Sequence, residues 1–214
     1  MTDLGFAHRF VPAKHPGRVP LLLLHGTGGD ENDLIPLGER LAPGSALLSP
    51  RGQVLEGTMP RFFRRQGEGN WDLDDFRYRT NELADFVQRA RAAYGLGKPM
   101  AVGFSNGANI AWSLLIHDPA LLAGAILLRP MLPFDPRPMP DLSGLSVLIL
   151  AGAEDPLIPR DQPGLLAALL GEAGADATFE MLSASHALTA QDLVLAQGWL
   201  RSHTRPDGGE LAER

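Results

Sequence analysis

Short apolar runs alternate with longer segments of helical spacing along most of the chain, and this alternation constrains the fold more than any other feature. The apolar runs lie at 18–26, 45–52, 98–104, 121–130, 145–155 and 177–183. Helical spacing or helix-end signals mark 30–42, 80–95, 106–119, 162–174 and 188–203. Strands that alternate with helices of this length form βαβ units around a mostly parallel sheet. The pattern predicts an α/β fold, with residues 6–11 as an edge strand.

Two long segments do not fit this alternation. Residues 55–76 have no clean period and residues 130–144 are rich in proline, so both are predicted as loops. A loop as long as 55–76 within a compact domain usually either has a functional role or is wrongly assigned. The helix that follows the first of them is predicted over 80–95, with Thr80 as its cap and Gly95 as its end.

The bulk composition excludes several classes of protein. The 214 residues carry a formal net charge of −6 and no basic block, which argues against a nucleic-acid partner. Cysteine is absent, which excludes a disulfide framework, a thiolate metal site and a cysteine nucleophile. The N-terminus has no signal-peptide pattern, and every apolar run is far shorter than the roughly 20 residues of a membrane span, so a cytoplasmic location is predicted. One domain is predicted over 1–204, followed by a polar tail over 205–214.

Ser105 lies in the stretch GFSNG, where the predicted strand at 98–104 turns directly into the predicted helix at 106–119. The pattern G-x-S-x-G in a strand–turn–helix context is typical of a serine nucleophile held on a strained turn. The backbone N–H groups and dipole of the following helix favour developing negative charge there. The alternative is that Gly103 and Gly107 simply let the strand and helix pack closely.

A serine nucleophile needs a base, and three histidines follow Ser105 in the chain. His117 lies near the far end of the same predicted helix, about 18 Å away at 1.5 Å per residue. His203 ends the last predicted helix. His186 lies in the loop between the last strand and the last helix, at the same sheet edge as Ser105. We therefore predict His186 as the base, with capping of the last helix as its alternative role.

The acid that orients the base is expected after the strand predicted at 145–155. Asp155 precedes Pro156, which keeps the aspartate extended and in a loop, so it is preferred over Glu154. Asp161 begins the next predicted helix, where capping alone would account for an acidic residue.

The loop HGTGGDEND follows the first buried strand and is rich in glycine. The N–H of Thr27 in this loop and the N–H of Asn106 are the predicted oxyanion donors. The loop has neither the G-K-[ST] ending nor the G-x-G-x-x-G spacing of a phosphate-binding loop. His25, at the end of the strand, is predicted to order the loop and to take no part in the chemistry.

Several segments together resemble a known family: LLLLHGTGGDENDL, SPRGQVLEGTMPRFFRR, VGFSNGANIA, LRPMLP, LAGAEDPLIP and SHALTAQDL. They are similar to the phospholipase/carboxylesterase family of α/β-hydrolases, which includes acyl-protein thioesterases. The segment MPRFFRR is closest to its bacterial carboxylesterase branch. The resemblance runs over about residues 8–202 and implies a single-domain α/β-hydrolase, a mostly parallel central sheet flanked by helices.

Carried over to this chain, the resemblance implies a catalytic triad of Ser105, Asp155 and His186. It also implies oxyanion donors at Thr27 and Asn106. The chain departs from the family at Ser185, since a glycine often precedes the family's histidine. The implied function is a cytoplasmic serine carboxylesterase that hydrolyses small esters, with short-chain acyl or aryl groups, and needs no metal or organic cofactor. A homodimer is a frequent assembly in the family.

Two other functions are compatible with the same motifs. An acyl thioesterase or lysophospholipase would use the same triad, and a non-catalytic ligand-binding protein would use the same fold.

The two irregular segments supply the predicted pocket walls, and for each wall residue the alternative is a place in the buried core. The residues are Phe62, Phe63, Trp71, Met131, Leu132 and Phe134. The Arg61, Arg64 and Arg65 cluster either favours an acidic substrate or pairs with Asp72, Asp74 and Asp75; we prefer the ion pairs.

Overall fold

A computed structural model of the chain describes residues 4–67 and 69–204. Within these residues, the strands lie at His8–Val11 (β1), Leu21–Leu24 (β2), Leu47–Pro50 (β3), Val54–Glu56 (β4), Met59–Arg61 (β5), Arg65–Gly67 (β6), Asn70–Trp71 (β7), Met100–Phe104 (β8), Gly124–Leu128 (β9), Ser146–Gly152 (β10) and Asp176–Leu182 (β11). The helices lie at Ile35–Leu41 (α1), Leu73–Tyr94 (α2), Asn106–His117 (α3), Gln162–Glu172 (α4) and Ala190–His203 (α5). Their alternation along the chain confirms the predicted α/β class.

Seven of the strands form one sheet, in the order β1-β3-β2-β8-β9-β10-β11. β1 pairs with β3 in the antiparallel sense at one edge, as predicted for residues 6–11. From β3 to β11 the neighbouring strands are parallel. Because parallel strands end at the same side of a sheet, the loops after β2, β8, β10 and β11 are brought to one edge.

Both faces of the sheet are covered, and the run Leu21–Leu24 explains why it is continuously apolar. All four leucines have 0% exposure. Leu22 and Leu24 pack in the cluster that contains the apolar residues of α2, α3 and α4. Leu21 and Leu23 pack in the cluster that contains those of α1 and α5. A strand buried on both faces has no polar side, which is typical of parallel sheets.

The segment predicted as a loop over 55–76 contains regular structure, which corrects that prediction. β4 pairs with β5 and β6 pairs with β7 as two short antiparallel hairpins. Strands of two or three residues are too short to leave a periodic hydrophobic pattern, so alternation could not reveal them.

The second helix begins at Leu73, seven residues before the predicted start at Thr80, so that prediction was wrong. Asp72 caps the helix by accepting a hydrogen bond from the N–H of Asp75 at 3.1 Å. Thr80 lies inside the helix, where its Oγ1 donates to the carbonyl of Phe76 at 2.8 Å. The acidic first turn is stabilised by the helix dipole, although its composition also fits a polar loop. Gly95 ends the helix in the left-handed region, as predicted.

The remaining predictions agree with the structure except in their bounds. The first helix starts at Ile35, not at residue 30, and Pro36 occupies its first turn, where a missing N–H is tolerated. Residues 131–144 form neither helix nor strand, as predicted. Residues 205–214, predicted as a polar tail, lie outside the described residues. Over 4–67 and 69–204, no helix has both the length and the apolar character needed to cross a membrane.

Candidate active site

Ser105 stands alone between the last residue of β8 and the first residue of α3. Its φ is 52° and its ψ is −113°, a region that a residue with a side chain rarely adopts. The glycines on either side are required by the fold. A Cβ at Gly103 would collide with the backbone of α3, and a Cβ at Gly107 would collide with the carbonyl of Leu24. The turn therefore aims one hydroxyl away from the sheet edge.

The structure brings Ser105, His186 and Asp155 together from three separate loops. The Nε2 atom of His186 lies 3.0 Å from the Oγ of Ser105. Its Nδ1 atom lies 2.8 Å from an Oδ2 of Asp155. Nδ1–H can donate to the carboxylate, which leaves Nε2 to accept the serine proton. The side chain of Asp155 is 1% exposed and that of His186 is 21% exposed, so of these two the imidazole is the one that reaches solvent.

Asp155 is held in place by its own loop. Its Oδ1 accepts hydrogen bonds from the N–H groups of Leu157 and Ile158 at 2.8 and 3.2 Å, which leaves Oδ2 for His186. Glu154 makes a different contact, since its N–H donates to the carbonyl of Ala184 at 3.0 Å.

The capping role predicted for Asp161 is not observed. It precedes α4, but its side chain makes no cap hydrogen bond, because its backbone is helical and not extended. The capping alternative for His186 is also not observed, since Thr189 and Asp192 form the capping box of α5.

Thr27 and Asn106, the predicted oxyanion donors, lie at the same cleft as Ser105. The N–H groups of Thr27 and Asn106 donate no hydrogen bond to any part of the chain that the structure describes. Both residues line the cleft beside Ser105. Unpaired N–H groups next to a serine hydroxyl fit the demands of an oxyanion site.

The end of β5 and the residue after it contact the loops of these two predicted donor residues. The N–H of Gly28 donates to the carbonyl of Pro60 at 2.9 Å, and the Nη1 of Arg61 donates to the Oγ1 of Thr27 at 2.9 Å. The N–H of Phe62 donates to the Oδ1 of Asn106 at 2.8 Å. Residues 60–62 are therefore bonded to both loops that carry the predicted donors.

His25 orders the neighbouring loop, in agreement with its predicted role. Its Nε2 accepts from the N–H of Gly52 at 2.9 Å, and its Nδ1 lies 2.7 Å from the carbonyl of Gly26. One ring nitrogen must therefore accept and the other donate, which requires a neutral imidazole. Complete burial lowers the pKa of His25 and favours that neutral form.

The cleft beside Ser105 has polar and apolar walls and, with its open mouth, encloses about 420 Å³. Polar side chains on its walls are Thr27, Arg61, Arg65, Asn106, Asn109 and His186. Apolar side chains on its walls are Trp71, Met131, Leu157 and Ile158. Trp71 and Met131 thus lie where the predicted pocket walls were placed.

The other predicted wall residues lie elsewhere. Phe62 and Phe63 are 3% and 0% exposed and do not line this cleft. The ring of Phe62 packs on His25, whereas Phe63 packs on Trp71 and Phe76 beneath the cleft. Leu132 and Phe134 pack against the core beside this aromatic group. Phe62 and Phe63 thus belong to the buried core, whereas Leu132 and Phe134 are half-buried at its edge.

Sequence reasoning missed Asn109, Leu157 and Ile158. Asn109 lies one helical turn after Ser105, and its Oδ1 accepts from the N–H of Met131 at 2.8 Å. The spacing of four residues from the serine was a usable signal, because such residues share a helix face. Leu157 and Ile158 directly follow Asp155 and Pro156, so their proximity to the site was also predictable from the sequence.

The arginine cluster pairs differently from the prediction. Arg64 contacts Asp72 and Asp75 at 3.4 and 3.3 Å, as expected. Arg61 and Arg65 instead contact Glu56 at 2.9 and 2.8 Å. The hydrogen bond from Arg65, with the charge of Arg61, holds the pKa of Glu56 below its ordinary value. The hairpin brings Glu56 next to both arginines, and no spacing rule predicts that contact.

Residues 19–145 match the family model described as alpha/beta hydrolase fold. A protein of Bacillus subtilis strain 168 named "Putative hydrolase MhqD" is 45% identical over 183 residues, which span 85% of this chain and 92% of that protein.

Two solved structures of carboxylesterases are similar to this chain over nearly its whole length. The Bacillus cereus carboxylesterase superposes with a TM-score of 0.92 and 41% identity, over 94% of this chain and 96% of that one. A carboxylesterase from Mesorhizobium loti superposes with a TM-score of 0.88 and 34% identity, over 94% of this chain and 96% of that one.

Proposed function

The chain belongs to the alpha/beta hydrolase family, and we propose that it is a serine carboxylesterase for small esters with short-chain acyl or aryl groups. One observation carries the proposal. Hydrogen-bond distances of 2.8 and 3.0 Å link Asp155 to His186 and His186 to Ser105 without a break. A carboxylate, an imidazole and a hydroxyl in this sequence make the hydroxyl a nucleophile near neutral pH.

The first half of the reaction forms an acyl-enzyme. The Oγ of Ser105 attacks the ester carbonyl carbon while Nε2 of His186 takes the serine proton. The carboxylate of Asp155 stabilises the imidazolium and keeps Nδ1 as the donor. The N–H groups of Thr27 and Asn106 donate to the oxyanion of the tetrahedral intermediate. When that intermediate collapses, His186 gives its proton to the departing alcohol.

The second half repeats these steps with water. His186 removes a proton from water, the resulting hydroxide attacks the acyl carbonyl, and the same two N–H groups stabilise the second oxyanion. Collapse expels the Oγ of Ser105, which recovers its proton from His186, and releases the carboxylic acid. The proton transfers are supported by the distances of 3.0 Å between Ser105 and His186 and 2.8 Å between His186 and Asp155.

The walls of the cleft support a substrate with a small apolar group. Trp71 and Met131 give the cleft an apolar wall for a short acyl or aryl group. We expect kcat/KM to fall from p-nitrophenyl butyrate to the octanoate. Faster hydrolysis of butyryl-CoA than of the matched ester would identify a thioesterase instead.

The decisive test is hydrolysis of p-nitrophenyl acetate and butyrate by wild type and Ser105→Ala. The variant is expected to lose nearly all activity because no nucleophile remains. Ser113→Ala is the matched control: it removes a buried hydroxyl from the same helix, where it bonds only Thr80. Equal rates for wild type and Ser105→Ala would refute the mechanism.

A fluorophosphonate probe separates an esterase from a ligand-binding protein on the same fold. Covalent labelling at Ser105 is expected, and failure to label at any concentration would favour binding alone. The homodimer and the cytoplasmic location implied by the family resemblance also belong to the proposal. Light scattering on the purified protein and fractionation of the source cells test them.

A further inference from the structure

Arg129 follows β9 directly, and its guanidinium is completely buried, with 0% of the side chain exposed. Its backbone has φ of 56°, which is uncommon for a residue other than glycine. Its main-chain N–H donates to the carbonyl of Leu150 at 2.8 Å. A charge buried this deeply is retained only when it is fully hydrogen-bonded. The partners of the guanidinium therefore indicate what Arg129 holds in place.

The guanidinium donates five hydrogen bonds, which matches its five N–H groups. Nε donates to the carbonyl of Ser185 at 3.0 Å, and Nη2 donates to the carbonyl of Ala187 at 3.2 Å. These two residues flank His186. Nη1 donates to the carbonyl of Leu150 in β10 at 3.2 Å. One planar group thus fastens the main chain on both sides of the imidazole to the sheet.

Asp192 receives the remaining two hydrogen bonds. Nη1 and Nη2 of Arg129 lie 2.6 and 2.9 Å from its Oδ1 and Oδ2. Oδ2 also accepts from the N–H and Oγ1 of Thr189 at 2.8 and 2.9 Å, within the capping box of α5. Burial alone would raise the pKa of Asp192, but these hydrogen bonds hold it below its ordinary value. The carboxylate therefore stays charged and ties the first turn of α5 to the same guanidinium.

We propose that Arg129 is a positioning residue that sets the ring of His186 between Ser105 and Asp155. Its five hydrogen bonds reach neither that ring nor the other two side chains. It acts through the backbone of the loop 183–189. The effect on catalysis rests on the proposed function, whereas the effect on the loop does not.

Holding the loop 183–189 in this way requires the planar guanidinium of an arginine, with its five N–H donors. Lysine keeps the positive charge but presents one compact ammonium, which cannot bond two flanking carbonyls and both carboxylate oxygens together. Arg129→Lys is therefore expected to keep the charge balance and to loosen the loop. An error of about 1 Å in the position of a catalytic group can cost about 10²-fold in rate.

The first experiment measures amide hydrogen exchange over residues 183–189 in wild type, Arg129→Lys and Leu200→Ala. Leu200 is the matched control because it is buried on the same helix, about 12 Å beyond Asp192 at 1.5 Å per residue. Its substitution leaves a cavity and destabilises the protein but removes none of the hydrogen bonds of Arg129. Faster exchange in the loop is expected for Arg129→Lys only.

The second experiment measures kcat and KM for p-nitrophenyl butyrate at a temperature where all variants are folded. Arg129→Lys is expected to lose about 10- to 100-fold in kcat with KM nearly unchanged, because the acyl cleft is intact and the base is misplaced. Leu200→Ala is expected to keep the wild-type kcat. A merely structural role for Arg129 would lower kcat in neither variant once both are folded.

A double variant covers the case in which Arg129→Lys fails to fold. Arg129→Met with Asp192→Asn leaves no buried charge, and asparagine can still accept from Thr189. A folded double variant with wild-type kcat and wild-type loop exchange would overturn the inference. If the wild type hydrolyses no ester, the proposed function fails, and the exchange data alone still decide whether Arg129 anchors the loop.

Discussion

Ser105 keeps its strained backbone because two glycines leave room for it, and the atoms nearest to a Cβ at either glycine are main-chain atoms. A Cβ at Gly107 would meet the main-chain carbonyl of Leu24, which cannot rotate away. The requirement for glycine was predictable from the motif. Which atom enforces it was not, because Leu24 is far away in sequence.

Gly107→Ala is expected to lower the free energy of unfolding by about 1–3 kcal/mol through overpacking, and to displace Ser105 enough to reduce esterase activity. Urea denaturation and p-nitrophenyl butyrate hydrolysis measure the two effects. Gly198→Ala is the control, because that glycine lies inside α5 with open space around its Cβ position. There alanine should add about 0.5–1 kcal/mol of stability. Equal effects of the two substitutions would contradict this account.

Asp155→Asn is expected to reduce kcat by about 10⁴-fold while the fold persists. The asparagine carbonyl would still accept from the N–H of Leu157, so its NH₂ would face Nδ1 of His186. The imidazole would then carry its proton on Nε2 and could not accept from Ser105. Steady-state kinetics with circular dichroism checks this. Asp161→Asn should leave kcat unchanged, and a loss there would show that any nearby charge matters.

The β4–β5 hairpin lies outside the main sheet and is hydrogen-bonded to the candidate active site. Arg61 is 4% exposed and joins Glu56 at the hairpin to Thr27 in the predicted oxyanion loop. Its Nε also donates to the carbonyl of Phe63 at 3.2 Å. This small element therefore fixes a loop that the large sheet alone leaves unsupported on that side.

Arg61→Met is expected to destabilise the protein by about 1.5–3 kcal/mol, since Thr27 and the carbonyl of Phe63 lose their donor and Glu56 keeps only Arg65. It should also lower kcat by releasing the Thr27 loop. Denaturant unfolding and ester hydrolysis report the two effects. Arg77→Met is the control because Arg77 and Asp74 form an exposed pair, with 69% and 99% of the side chains accessible. Such pairs contribute about 0–1 kcal/mol. A stable, fully active Arg61→Met would refute the bracing role.

Long elements were predictable from sequence and short ones were not. Five strands of the main sheet, β2, β3, β8, β9 and β10, are largely buried and mostly apolar, so they are recognisable as short apolar runs in the sequence. The hairpins at 54–71 depend on contacts with other loops, such as Phe62 with Asn106. The first turns of α2 were missed because Asp72, Asp74 and Asp75 suit a helix start and a loop equally well.

At the scale of the molecule, the site was predictable because parallel strands end together. Ser105, Asp155 and His186 follow β8, β10 and β11, so strand order alone places them at one edge. The depth of Arg129 could not be anticipated in the same way. A lone arginine after a strand has no local signal that its partners are 56 and 63 residues away.

Stability of the whole protein is expected to fall in two stages as the pH is lowered. Burial depresses the pKa of His25, so below about pH 6.5 the unfolded chain takes up a proton that the folded chain does not. Glu31, Glu56 and Asp192 have pKa values lowered chiefly by arginine partners in the folded state. Their stabilisation is present above about pH 4 and is lost as the pH falls through the folded values.

Thermal unfolding at pH 7.5, 5.5 and 3.5 measures these stages at constant ionic strength. His25→Gln should reduce the drop between pH 7.5 and 5.5, and Asp192→Asn should reduce the drop between pH 5.5 and 3.5. A wild-type melting temperature that rises as the pH falls from 7.5 to 5.5 would contradict the sign derived for His25.

The order of the three site residues along the chain also has a consequence for biosynthesis. The nucleophile emerges from the ribosome first, and its base follows 81 residues later. The helix that carries Asp192, and so anchors the base, follows all three site residues in the chain. A nascent chain is therefore expected to carry an unactivated serine until residues 186–203 have been made. A chain stopped after residue 172 should not react with a fluorophosphonate, because it lacks both the base and its anchor.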